Sequence, residues 1–262
     1  MFIHTTDAVI SSVAFGAGPH TVLALNGWSA SWQAWAPTFE LLTPRLRCVG
    51  YDTRGTGGSA SSAGSVTLDL LIADAIAVLD RHDTERCILA GESLGGVLAL
   101  HVAQRHRERI DALALVATPH ELIAAHTEPL VTGARTDYAG TIGAFVPACL
   151  NEPGSSAMFH WGRHLFDQAQ PEVAARLFEC MTGATIDLED IGVPTVVIHG
   201  DQDQVVPPSS GRRLAEAIPG ASFVELPGIG HAPTVTAPAI VADEIERIAT
   251  NSKQPSQRGE IG

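Results

Sequence analysis

The chain has 262 residues, 45% of them hydrophobic and 17% charged, so it can bury a large core without disulfides or metals and does not have the composition of a disordered protein. Against 29 Asp plus Glu stand only 16 Lys plus Arg, and the formal charge of -13 repels phosphate backbones and anionic lipid surfaces, which argues against nucleic acid as a partner. Cys48, Cys87, Cys149 and Cys180 show no CxxC spacing and read as buried free thiols. The opening MFIHTTDAVISSVAFGAG lacks the basic and continuous apolar regions of a signal peptide, and no apolar stretch reaches the ~20 residues of a bilayer span. A soluble cytoplasmic protein without a membrane partner is the expectation.

In chain order, TVLALN (21–26) reads as a strand, 31–42 as a helix and LRCVGY (46–51) as a strand. A helix over 67–81, the strand RCILAG (86–91), a helix over 93–106 and the strand ALALVA (112–117) follow. Beyond the middle of the chain come the strand TVVIHG (195–200), a helix near 209–217, the strand SFVELP (222–227) and a helix near 237–249. Most of the strand runs are continuously apolar rather than alternating, as strands buried on both faces should be. The pattern predicts an α/β domain over 1–118 and 193–250, with a mostly parallel sheet flanked by helices.

The alternation fails between Pro119 and Gly192, a stretch too long for a plain connection, and residues 119–192 are expected to form an inserted helical lid. Helix-like spacing appears around WGRHLFDQ and PEVAARLFECM. Apolar stripes of this kind usually pack one layer on another, and some of these side chains are candidates to line a substrate pocket, Phe145 and Trp161 among them. Trp28 and His120, the latter just after the strand 112–117, are further candidate pocket residues. The polar stretch 251–262 is expected to be a flexible tail.

The segment RCILAGESLGGVLALHVA places G-x-S-x-G at a sharp turn between strand and helix. At such an elbow a serine is held in a strained conformation with its hydroxyl above the sheet, which makes Ser93 the candidate nucleophile. Gly91 and Gly95 leave room for the close packing of strand and helix. The helix N-terminus places free amides where an oxyanion would form, and Leu94 N–H is the first candidate donor. The second is expected from the loop after Asn26-Gly27, with Trp28 N–H first and Ser29 behind it.

A serine hydroxyl needs a base. Of 11 histidines, His231 lies in the Gly- and Pro-rich run LPGIGHAP between the last strand and the last helix, on a loop that can reach the sheet edge. His101 and His106 fall on the helix after the elbow, His20 in an early turn and His126, His160 and His164 in the lid. His199 ends a strand and reads as a packed residue. A carboxylate must orient the base, and TVVIHGDQDQVVP offers Asp201 and Asp203 at a strand end.

With elbow, acid loop and histidine loop in place, the sequence resembles the α/β-hydrolase superfamily over nearly its whole length. Within it, YDTRGTGGSAS (51–61) and VVPPSSGRRLAEAIPGASFVELP (205–227) are most similar to 3-oxoadipate enol-lactonases and related ester or lactone hydrolases. The resemblance implies Asp203 as the acid, because in similar hydrolases it stands three residues after the strand-ending glycine and four before the proline, here Gly200 and Pro207. Many relatives carry His-Gly where this chain has Asn26-Gly27, a departure that leaves the backbone donor in place. The implied activity is hydrolysis of a small carboxylic ester or lactone, with no cofactor and no metal. Superfamily members that use the same triad as C–C bond hydrolases or lyases, or as slow-turnover ligand sensors, are the alternatives.

Overall fold

The computed structural model describes residues 1–251, so the part of the expected tail beyond Asn251 lies outside the described residues. The chain opens with β1 (Phe2–Thr5) and β2 (Ala8–Phe15), then β3 (Thr21–Leu25), α1 (Ala36–Leu42), β4 (Arg47–Tyr51) and the short β5 (Ala60–Ser61). Next come α2 (Leu68–Arg81), β6 (Cys87–Glu92), α3 (Leu94–Arg105) and β7 (Ile110–Val116). Four helices intervene before the sheet resumes: α4 (Ala124–Thr136), α5 (Tyr138–Cys149), α6 (Met158–Phe166) and α7 (Pro171–Glu179). The last part contains β8 (Thr195–Gly200), α8 (Pro208–Ala217), β9 (Ser222–Leu226), α9 (Pro233–Thr236) and α10 (Pro238–Asn251).

The strands form one sheet in the order β1-β2-β4-β3-β6-β7-β8-β9, with β5 beside β2. From β4 to β9 all neighbours are parallel. Every residue of β6 and of β8 is buried, which explains why their sequences are apolar without alternation. Leu23, Leu25, Leu89, Leu113, Leu115 and Val197 face a core shared with α2, α3 and α8. Their odd-even partners, including Val22, Ala24, Ile88, Ala114 and Ile198, face Trp35, Phe39, Val241 and Ile245 on the side of α1 and α10.

The sequence reading contains no strand before residue 21, yet β1 and β2 pair as an antiparallel hairpin that continues onto β4. Along β2 burial alternates from Ala8 to Val13, the period of a strand with one face in the core. Asp7 in the two-residue turn has φ +57°, a left-handed conformation that Asp tolerates. Cys48, Cys87 and Cys149 are buried free thiols, whereas Cys180 is half-buried because it ends α7 near the surface. Among the described residues no helix is long and apolar enough to cross a membrane.

The helices α4 to α7 lie between β7 and β8. Arg135 of α4 bridges Glu172 and Glu179 of α7, and the buried face of α7, including Val173, Ala174, Leu177 and Phe178, turns toward the main core.

Candidate active site

Ser93 joins β6 to α3 with φ +53° and ψ -120°, a conformation L residues rarely adopt. Its N–H donates to the Val116 carbonyl at 2.8 Å, which ties the turn to β7. A Cβ on Gly91 would lie 2.5 Å from the Gly95 carbonyl oxygen, and one on Gly95 would strike the carbonyl oxygens of Leu25 and Asn26. Strand, helix and the loop after β3 therefore approach as closely as they do only because both positions lack a side chain.

Ser93 Oγ is 3.0 Å from His231 Nε2, and His231 Nδ1 is 2.8 Å from Asp203 Oδ2. Both His231 and Asp203 are buried. Asp203 reaches this position because the main chain folds back after β8 so that Val205 N–H and Val206 N–H donate to Asp203 Oδ1 at 2.8 and 2.9 Å. Asp201 stands elsewhere, accepting the Gly228 N–H at 2.7 Å in a turn. Burial pushes the Asp203 carboxyl up, but the His231 charge, the His199 and His231 ring bonds and the Val206 amide outweigh it and hold the group well below the usual carboxylate range. Burial alone would lower His231; the charge and hydrogen bond of Asp203, with the charge of Glu92, raise it above the ordinary histidine value.

Leu94 follows Ser93 in the chain and Trp28 lines the same chamber as Ser93, and among the described residues neither amide donates to a carbonyl or a side chain. The loop bearing Trp28 is held from several directions. Asn26 Nδ2 donates to the Tyr51 carbonyl at 2.7 Å. Asp52 accepts the Trp32 and Gly58 amides at 2.9 and 2.8 Å, while Arg54 is fully buried in a two-pronged pair with Asp74. The Trp28 indole donates to the Ala174 carbonyl of α7 at 2.8 Å and is ringed by Tyr138, Phe145, Phe166 and Phe178 at centroid distances of 5.1 to 6.5 Å.

Two chambers meet at Ser93. One is walled by Trp28, Val146, Trp161, Leu165, Phe166 and Val235. The other is lined by Leu122, Ile123 and Leu130 but also by Glu121, His126 and Arg213. Phe145 belongs to both walls. Of the sequence-derived pocket candidates, Trp28, Phe145 and Trp161 thus lie beside Ser93. His120 does not: its N–H is tied to Ser210 Oγ of α8 at 2.9 Å, and its side chain lines a separate cavity with Val97, Leu100 and Met181.

Four contacts at the site have no counterpart in the sequence reading. Glu92 is buried beside Ser93 and accepts the Thr234 hydroxyl at 2.6 Å; burial pushes its carboxyl up to about 7. Glu152 Oε1 accepts the Gly230 N–H at 2.8 Å, and the Cys149 carbonyl accepts the His231 N–H at 3.1 Å, so the end of α5 holds the histidine loop. His199 Nε2 lies 3.0 Å from Asp203 Oδ2.

Known proteins are similar to this chain over most of its length. The Caulobacter sp. (strain K31) protein named as the carbamate hydrolase RutD is 31% identical over 248 residues, spanning 89% of this chain and 92% of its own. The pimeloyl-[acyl-carrier protein] methyl ester esterase of Aeromonas hydrophila is 30% identical over 259 residues, covering 90% of this chain and 98% of its own. The crystal structure of the enol-lactonase from Burkholderia xenovorans LB400 superposes with a TM-score of 0.88 at 25% identity, over 95% of this chain and all of that one. The model of the alpha/beta hydrolase family matches residues 22–244, and the chain belongs to that family.

Proposed function

We propose that the chain is a serine hydrolase that cleaves a small carboxylic ester or lactone through an acyl-enzyme. The observation that carries this reading is the continuous chain from Ser93 Oγ to His231 to Asp203, at 3.0 and 2.8 Å, lying where two chambers meet. The esterase and enol-lactonase among the similar proteins support the same bond type.

In this reading His231 Nε2 takes the Ser93 proton as Oγ attacks the carbonyl carbon, and the imidazolium is stabilised by Asp203, which its surroundings keep ionised. The oxyanion forms between the Leu94 and Trp28 amides, which are free of other acceptors. His231 then protonates the leaving oxygen, and water, deprotonated by the same nitrogen, releases the acid and restores Ser93. One arm of the substrate enters the apolar chamber behind Trp161 and the other the chamber lined by His126 and Arg213. Residues 119–192 act as the lid over both, since α5 and α6 line the apolar chamber and α4 lines the other.

The test is a panel of p-nitrophenyl acetate and butyrate, methyl esters, lactones and carbamates, assayed with wild type and Ser93→Ala. Turnover of an ester or lactone with a burst that disappears in Ser93→Ala is expected. Absence of covalent labelling of Ser93 by any activated ester or fluorophosphonate would refute the reading.

A further inference from the structure

Asp203 has more hydrogen-bond donors than a catalytic triad requires. Its Oδ1 accepts two backbone amides, and its Oδ2 accepts His231 Nδ1 from one side while His199 Nε2 stands 3.0 Å away on the other. His199 comes from β8 and is fully buried. Its Nε2 is also 3.0 Å from the Val206 carbonyl oxygen. Both neighbours of this nitrogen are acceptors, so the hydrogen-bond network assigns the ring hydrogen to Nε2. Nδ1 has no partner and packs against Gly211 of α8, where a Cβ would collide with the ring. A side chain at 211 would therefore displace the imidazole from Asp203.

We propose that His199 is a positioning residue of the candidate triad, which by sharing its Nε2–H between the Val206 carbonyl and Asp203 Oδ2 limits the proton affinity that this carboxylate presents to His231. The proposal rests on the triad reading given above. A carboxylate oxygen shared by two N–H donors has its charge divided between them, so each bond weakens the pull felt by the other. The charged and titratable groups facing Asp203 are His199 from β8, His231 from the loop before α9, Glu92 at the end of β6 and Cys149 at the end of α5. Substitution of His199 leaves the other three in place, so a change in His231 basicity reports on the shared oxygen.

Two variants separate this role from packing. His199→Gln keeps a donor near the position of Nε2, whereas His199→Phe keeps the ring and removes the donor. The kcat/KM–pH profile for p-nitrophenyl butyrate and the low-field proton resonance of His231 Nδ1–H are measured on each folded protein. In His199→Phe the acid limb is expected to move up by about half to one pH unit, as loss of one hydrogen bond to a charged group implies, and the resonance to move downfield. His199→Gln is expected to match wild type in both. If His199→Phe does not fold, His199→Asn, whose shorter amide cannot reach Asp203, replaces it with the same expectation. An acid limb and a resonance that are the same in all variants, with Ser93 still labelled by fluorophosphonate, overturn the role of His199 alone. A wild type that the reagent does not label overturns the triad reading itself.

Discussion

Replacing Glu92 by Gln tests how much an ionisable group beside the candidate nucleophile weighs on the fold. Gln keeps the volume and an oxygen able to accept the Thr234 hydroxyl, but it does not titrate. Burial lifts the Glu92 carboxyl from an ordinary 4.5 to about 7. At about 1.4 kcal/mol per pH unit, that gap corresponds to roughly 3 kcal/mol. Because the folded state binds the proton more tightly than the unfolded one, the penalty is absent below pH 4.5, grows from there to about pH 7 and is complete above it. Glu92→Gln is therefore expected to gain about 3 kcal/mol relative to wild type as pH rises from 4.5 to 8, equivalent to roughly 6–12 °C in Tm for a domain of this size. Urea denaturation of both proteins at half-unit pH steps measures the difference directly. A difference that stays constant across that range would refute the reasoning, since a packing effect of the substitution does not follow the titration of one carboxyl.

The same variant removes a negative charge that raises His231, so the acid limb of its kcat/KM–pH profile is expected at lower pH than in wild type. Asp203→Asn is expected to lower kcat by about 10⁴ by favouring the wrong imidazole tautomer. Asp201→Asn, which retains an acceptor for the Gly228 N–H, should stay near wild type in the same steady-state assay. Glu152→Ala leaves the Gly230 N–H without its acceptor, and a loss of about 1 kcal/mol in transition-state stabilisation, about fivefold in kcat/KM, is expected, with Glu152→Gln restoring most of it. Phe145→Ala opens the wall shared by the two chambers, and a competition assay with esters of graded size should show discrimination between them reduced.

The strands β3, β4, β6, β7 and β8 are legible because burial on both faces demands uninterrupted apolar runs, and the elbow is legible because its glycines are required by close approach of backbones. Ser93, Asp203 and His231 each follow a parallel strand, so the topology itself carries them to one edge of the sheet. The hairpin at residues 2–15 is harder to read: its alternation covers few positions, and Ser12 occupies a buried one, where it pairs with His82. His199 reads as a packed strand end because its neighbours in sequence are apolar; its bond to Asp203 appears only once the chain reverses through residues 201–206. The Glu152 contact joins positions 78 residues apart through an insertion whose placement depends on tertiary packing, and no local spacing announces it.

Trp28 is the proposed second oxyanion donor through its amide, while its indole is bonded to Ala174 and enclosed by rings from α5, α6 and α7. In the proposed function, the part of the protein that would select the substrate and the part that would stabilise the reaction are joined through a single residue. Grafting residues 119–192 from a relative would exchange the surroundings of that indole along with the binding walls. Such a chimera should inherit an altered turnover as well as an altered preference unless its donor segment accepts tryptophan in the same cradle.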